Sequence, residues 1–215
     1  MAVDAKICGL STPAAIETAI AGGAAFIGLV FFAKSPRYVT TATAGALSKP
    51  VAGKVTRVGL VVDATDDEIT AILRDCPLDL LQLHGKETPE RVAAIRARFG
   101  LPVMKVLSVA TAEDIAGARA YEPVADRLMF DAKPPKTMVN ALPGGNAVSF
   151  DWSLLAGQRF NRPWMLAGGL TAQNLAEAVR ISGAPAVDTS SGVEDRPGVK
   201  NLQKIKDFLT VARSL

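Results

Sequence analysis

Two side chains suited to moving protons stand at the ends of apolar, β-branched runs. They are the thiol of Cys8, which closes Ala5 to Cys8, and the carboxyl of Asp131, directly after Arg127 to Phe130. Facing each other across a pocket, a thiol and a carboxyl could serve as base and acid. A free thiol has a pKa near about 8.5, so only a few per cent is thiolate at neutral pH unless its site lowers that value. The plainer reading of Cys8 is a small buried apolar side chain, the commoner fate of a free cysteine. The plainer reading of Asp131 is a loop cap or a surface ion-pair partner. Cys76, before Pro77 at the end of a helical stretch, takes the apolar reading.

Two glycine-bearing turns offer backbone donors for an anion. Ala167-Gly168-Gly169-Leu170 lets the chain approach a ligand closely, and Asp188 through Gly192 carries the hydroxyls of Thr189, Ser190 and Ser191. Phosphate needs such donors, although glycines here also suit tight turns. Arg37, after Ser35-Pro36, has a planar fork that matches a carboxylate bidentately; as a lone loop arginine it is also readable as a solvated charge. The sole histidine, His84, is read as a structural or pocket-wall residue, because no GxSxG turn supplies a nucleophile for it.

Eight short runs are positioned to deliver these groups: Ala5 to Cys8, Phe26 to Phe31, Val55 to Val62, Leu78 to Leu83, Pro102 to Leu107, Arg127 to Phe130, Trp164 to Leu166 and Ala186 to Val187. Between them lie stretches with helical spacing, among them Thr12 to Ala21, Asp66 to Leu73, Thr88 to Arg98, Thr111 to Ala118, Thr171 to Ile181 and Leu202 to Ala212. Strand and helix in alternation force parallel pairing, since a helical crossover returns the chain to start the next strand in the same direction. The pattern predicts an α/β fold, a single-domain (β/α)8 TIM barrel over residues 1–215, near the lower length of about 200 residues for that architecture. In such a barrel the strand C-termini converge on one pocket. The sixth unit is irregular: residues 131–149 form a long Pro- and Gly-rich connection before a short helix that Asp151 could start.

Composition narrows the function classes. With 215 residues, 49% of them hydrophobic and 21% charged, the chain can bury one sizeable core. Its net charge of +3 is dispersed, which gives no support to a nucleic-acid partner. Two cysteines in dissimilar contexts fit a reducing compartment, and no Cys/His cluster suggests a metal. With no signal peptide and no run of roughly 18 apolar residues, no membrane association is expected and a cytoplasmic location is. The oligomeric state is left open between monomer and homodimer.

Taken together, Lys6-Ile7-Cys8-Gly9, Ser35-Pro36-Arg37, Gln82-Leu83-His84-Gly85, Phe130-Asp131-Ala132, Leu142-Pro143-Gly144-Gly145, Phe150-Asp151-Trp152, Leu166 to Leu170 and Asp188 to Glu194 resemble the phosphoribosylanthranilate isomerase family of tryptophan biosynthesis, in order and spacing, from Lys6 to about Phe208. The resemblance implies a phosphorylated small-molecule substrate and an Amadori rearrangement without metal or organic cofactor. It implies Asp131 as general acid and Cys8 as general base, Arg37 on the anthranilate carboxylate, and Gly168, Gly169, Ser190, Ser191 and Gly192 on the phosphate, with Asp188 also at the substrate site. Three positions depart from the family pattern: Ala147 replaces a usual Gly, Asp63 an Asn, and Asn201 an Asp.

Rival readings have discriminating features. The related histidine-pathway isomerase places an aspartate where this chain has Cys8. Ribulose-phosphate epimerase resembles a metal enzyme with histidine ligands, which one histidine cannot supply. A phosphosugar-binding module without turnover has no need of the acid–base pair, and would bind product without converting substrate.

Overall fold

The computed structural model describes residues 3–135, 137–138, 142–146 and 148–215. Eight strands close into a barrel in sequence order: β1 Asp4–Cys8, β2 Phe26–Val30, β3 Thr56–Val61, β4 Leu80–Leu83, β5 Val103–Val109, β6 Arg127–Ala132, β7 Trp164–Leu166 and β8 Ala186–Thr189. Every neighbouring pair is parallel, and β8 returns to β1 with Asp188 opposite Lys6. The helices are α1 Pro13–Ala21, α2 Thr41–Ser48, α3 Asp66–Asp75, α4 Pro89–Phe99, α5 Ala112–Gly117, α6 Leu175–Ser182 and α7 Leu202–Ser214. A small hairpin, β9 Glu194–Arg196 with β10 Val199–Lys200, precedes α7. No helix among the described residues is long and apolar enough to cross a membrane.

Local chemistry explains most helix boundaries. Thr65 and Glu68 form a reciprocal capping box on α3. On α4, Thr88 caps the first turn, Pro89 follows, and Gly100 ends the helix at φ 64. Helix α2 was not among the helical stretches read from sequence, because TATAGALS has little apolar periodicity. It is held by packing: Gly45 lies against the Asp75 carbonyl at the end of α3, so closely that a Cβ would overlap it. Among the described residues of the sixth unit, a 3-10 turn, Trp152–Leu155, stands where other units have a longer helix, and Asp151 accepts the Ser153 N–H at its start.

Side chains alternate across each strand, so two cores form. Ala5, Ile7, Ile27, Leu29, Leu81, Leu83, Leu128, Phe130 and Val187 pack outward beneath the helices. Phe26, Val58, Leu80, Met104, Met129 and Met165 fill the barrel's interior. The same alternation carries Lys6 and Cys8, Gln82, Asp131 and Asp188 inward, above that plug. At the other face of the sheet, Phe130 stacks with Phe160 and Trp164 at centroid distances of 4.8 and 5.6 Å, which pins the end of β6 from behind.

Two of the three departures are explained locally. Asp63 has φ 49 and accepts the Lys86 N–H on Oδ1 at 2.6 Å. Asp and Asn both tolerate that left-handed backbone and both supply that acceptor. Asn201 caps α7 by accepting the Lys204 N–H, while its Nδ2 donates to Asp195 at 2.9 Å. An aspartate there would meet that carboxylate with like charge. Ala147 lies outside the described residues.

Candidate active site

The strand C-termini meet in one pocket, lined by Cys8 on one side and by Asp131 and His84 on the other. Val30, Phe32, Leu60 and Val62 form an apolar wall, while Gly168, Gly169, Ser190 and Ser191 edge the opposite rim. Cys8 and Asp131 are thus brought to a common space, both nearly inaccessible at 4% and 6% exposure.

Asp131 is held through one oxygen and closely approached at the other. Oδ1 accepts the Ala132 N–H at 2.8 Å, and Oδ2 lies 3.2 Å from His84 Nε2. The histidine contact is a close approach and not an aligned hydrogen bond, since His84 Nε2 has no hydrogen-bond partner among the described residues. His84 Nδ1 lies 3.3 Å from the buried Gln82 amide nitrogen. The sole histidine therefore belongs to the pocket wall, beside the carboxyl.

Arg37 is buried, not a solvated loop charge. Its Nε and Nη2 each donate to a Glu194 carboxylate oxygen at 2.8 Å, and Nη2 also donates to the Gly145 carbonyl at 3.3 Å. Lys200 Nζ donates to Glu194 Oε1 at 2.7 Å and to the Ser190 carbonyl at 2.8 Å. Ser190 Oγ in turn donates to the Cys8 carbonyl at 3.1 Å. Burial pushes the Glu194 carboxyl up, but Arg37 and Lys200 outweigh it and hold the group below the usual carboxylate range. Burial wins at Lys200, whose ammonium is depressed despite Glu194. In the sequence Glu194 stands out only as the end of the Asp188 to Glu194 motif, and nothing in its spacing from Arg37 or Lys200 shows that these three groups meet.

The glycine turns are shaped by packing as well as by any ligand. Gly168 has φ 92, and a Cβ there would lie 2.8 Å from the Ala132 nitrogen. Gly169 has φ 62 and packs against Val148 and Ser149 of the sixth-unit connection. Gly192 fits beneath the Leu170 carbonyl, where a Cβ would overlap the oxygen; it borders an outer crevice beside the pocket. Among the described residues, the N–H groups of Gly169, Ser191 and Gly192 donate no hydrogen bond, so this rim presents unsatisfied donors.

Asp188 does not face an anion with a bare carboxylate: Lys6 Nζ donates to its Oδ1 at 2.8 Å. Cys76 is buried away from the pocket.

Proton-transfer side chains gathered at the C-terminal rim of a closed parallel eight-stranded barrel define a (β/α)8-barrel enzyme. The family described as N-(5'-phosphoribosyl)anthranilate (PRA) isomerase matches residues 5–211. A protein of Paramagnetospirillum magneticum named N-(5'-phosphoribosyl)anthranilate isomerase is 59% identical, the match covering 99% of this chain and 98% of the relative. One of the same name from Rhodospirillum centenum is 56% identical over the full length of both. The structure of phosphoribosyl anthranilate isomerase from Thermotoga maritima superposes with a TM-score of 0.87 at 33% identity, covering 99% of this chain and 100% of that one. A phosphoribosyl anthranilate isomerase in complex with reduced 1-(o-carboxyphenylamino)-1-deoxyribulose 5-phosphate gives a TM-score of 0.85 at 32% identity, with the same coverage. The chain belongs to the N-(5'-phosphoribosyl)anthranilate isomerase family of tryptophan biosynthesis.

Proposed function

We propose that the chain converts N-(5'-phosphoribosyl)anthranilate to 1-(2-carboxyphenylamino)-1-deoxyribulose 5-phosphate with Asp131 as general acid and Cys8 as general base. The observation that carries this reading is the convergence of Cys8 and Asp131, 123 residues apart in the chain by their numbers, on one pocket between a rim of free N–H donors and an apolar wall. Asp131 protonates the furanose ring oxygen as the C1'–O bond breaks, and the anthranilate nitrogen lone pair forms the C1' iminium. That cation acidifies C2', and the Cys8 thiolate removes the C2' proton. The electron pair moves into a C1'–C2' double bond as the iminium nitrogen is neutralised, giving an enaminol that takes a proton at C1' and releases its C2' hydroxyl proton to become the ketone. Positioned acid–base groups typically contribute about 10²- to 10⁴-fold each.

Binding follows the same division. The rim N–H groups of Gly169, Ser191 and Gly192, with Gly168 and Ser190, suit the phosphate. Arg37 keeps Nη1 for a substrate carboxylate while Glu194 fixes the rest of its fork. The apolar wall suits the anthranilate ring. A neighbour of this fold binds a reduced form of the product, which supports placing the phosphorylated ligand here. Asp188, paired with Lys6, acts at the base of the substrate site. The reading takes residues 1–215 as one domain, cytoplasmic, acting as monomer or homodimer without nucleic acid or cofactor; a Thermotoga maritima relative is described as dimeric.

The test is turnover of phosphoribosylanthranilate generated in place, followed by loss of its fluorescence, with wild type and Cys8→Ala side by side. Rapid conversion that the variant lacks is expected. No conversion by folded wild type, with product still bound in calorimetry, would leave a phosphosugar-binding module.

A further inference from the structure

Burial poses a problem for the base just assigned: it pushes the Cys8 thiol up, away from the ionised form that removes a proton. The barrel interior holds an answer in a residue with no part in the binding scheme. Lys6 is wholly buried and is among the largest of the fully buried side chains. It stands two residues before Cys8 on β1, so the two side chains leave the strand on the same, inward face. Directly opposite Cys8 in the ladder, β2 carries Gly28. A Cβ at Gly28 would lie 2.8 Å from Cys8 Sγ and 3.1 Å from Lys6 Nζ. Thiol and ammonium therefore flank the space that a side chain on β2 would otherwise fill.

We infer that Lys6 is a positioning residue for the base: its ammonium, admitted beside Cys8 by Gly28 and kept charged by Asp188, stabilises the thiolate that takes the C2' proton. This rests on the reading of Cys8 as base. Asp188 accounts for the survival of a charge in so dry a place, since an unpaired buried lysine would shed its proton. Burial alone would lower the Lys6 ammonium, but Asp188 and Cys8 outweigh it and its pKa is pushed up to about 12. Every charged neighbour has to be counted. Lys6 favours the thiolate from its own strand, Asp188 from β8 opposes it, and Lys200 from β10 favours it more weakly. Asp131 and His84 face it across the pocket. Lys6 is the strongest of the favourable neighbours, and an opposite charge within about 4–6 Å is what favours an ionised thiol.

The experiment titrates the thiol in the ligand-free enzyme, in a Cys76→Ala background so that Cys8 is the only cysteine read. Thiolate absorbance at about 240 nm and the rate of alkylation by iodoacetamide are followed against pH. Lys6→Met is expected to move the midpoint upward by about one unit or more, a tenfold loss of thiolate at a given pH, and to lower kcat with it. Gly28→Ala keeps both charges but wedges a methyl between them, and should also move the midpoint upward. Should Lys6→Met fail to fold around an unpaired Asp188, Lys6→Met/Asp188→Asn removes both charges and still moves the midpoint upward, by less. Midpoints equal to wild type in the folded variants would reduce Lys6 to a structural partner of Asp188 and overturn the inference. Failure of the underlying reading looks different: Cys8→Ala would keep near-normal turnover whatever the Lys6 variants do.

Discussion

Asp131→Asn removes one transferable proton and almost no volume, so it separates chemistry from binding. Turnover should fall by about 10²- to 10⁴-fold while calorimetry shows product bound as in wild type; weakened binding with normal turnover would contradict the acid role. Arg37→Ala acts differently, because its partner Glu194 is buried with it. KM should rise through loss of the carboxylate contact, and the protein should also lose stability as Glu194 keeps only Lys200. Glu194 itself makes stability depend on pH. Its folded-state pKa lies below the unfolded value, so its contribution is present above about pH 4.5 and is lost as pH falls through the folded value. Denaturation of wild type and Glu194→Gln across pH 3 to 7 should show the steeper acid loss in wild type, and parallel curves would refute the linkage.

The loops after β7 and β8 act as one unit through a single close approach. Gly192 sits under the Leu170 carbonyl, which also accepts from the Thr189 hydroxyl at 2.8 Å. Gly192→Ala must push these loops apart, so product affinity should fall at least about tenfold, on the order of 1.4 kcal/mol, with far-UV circular dichroism unchanged. Intact affinity would show that the rim donors do not depend on this packing. Helix α3 offers a contrasting case away from the pocket. Thr65→Ala breaks its capping box and should cost about 1 kcal/mol in urea unfolding without altering KM.

The barrel as a whole relies on buried ion pairs outside the site. Glu87 accepts from Lys105 Nζ at 2.6 Å, from the Asp63 N–H at 2.9 Å and from the Gly85 N–H at 3.0 Å. Lys105 also donates to the Gly85 carbonyl at 2.8 Å. This cluster ties the loops after β3 and β4 to β5, behind the pocket wall that carries His84. Glu87→Ala strands a buried ammonium and should cost about 3–5 kcal/mol, read as a fall in Tm. A fall in Tm no larger than that of Thr65→Ala would show that Lys105 finds another partner.

Much of the architecture was legible in the residues alone. Eight apolar runs alternating with helical stretches predict a parallel barrel, because strand and helix periodicities are local properties of the chain. Barrel geometry then places strand ends at one rim, which is why Cys8, Asp131 and the glycine turns could be named beforehand. Helix α2 escaped because its stability comes from Gly45 meeting α3 and not from its own periodicity. What the tertiary structure alone decided is pairing: Arg37 with Glu194, 157 residues apart, and Lys6 with Asp188, 182 apart. Such contacts exist only once β8 has closed against β1. No local pattern encodes which buried cation will meet which buried carboxylate.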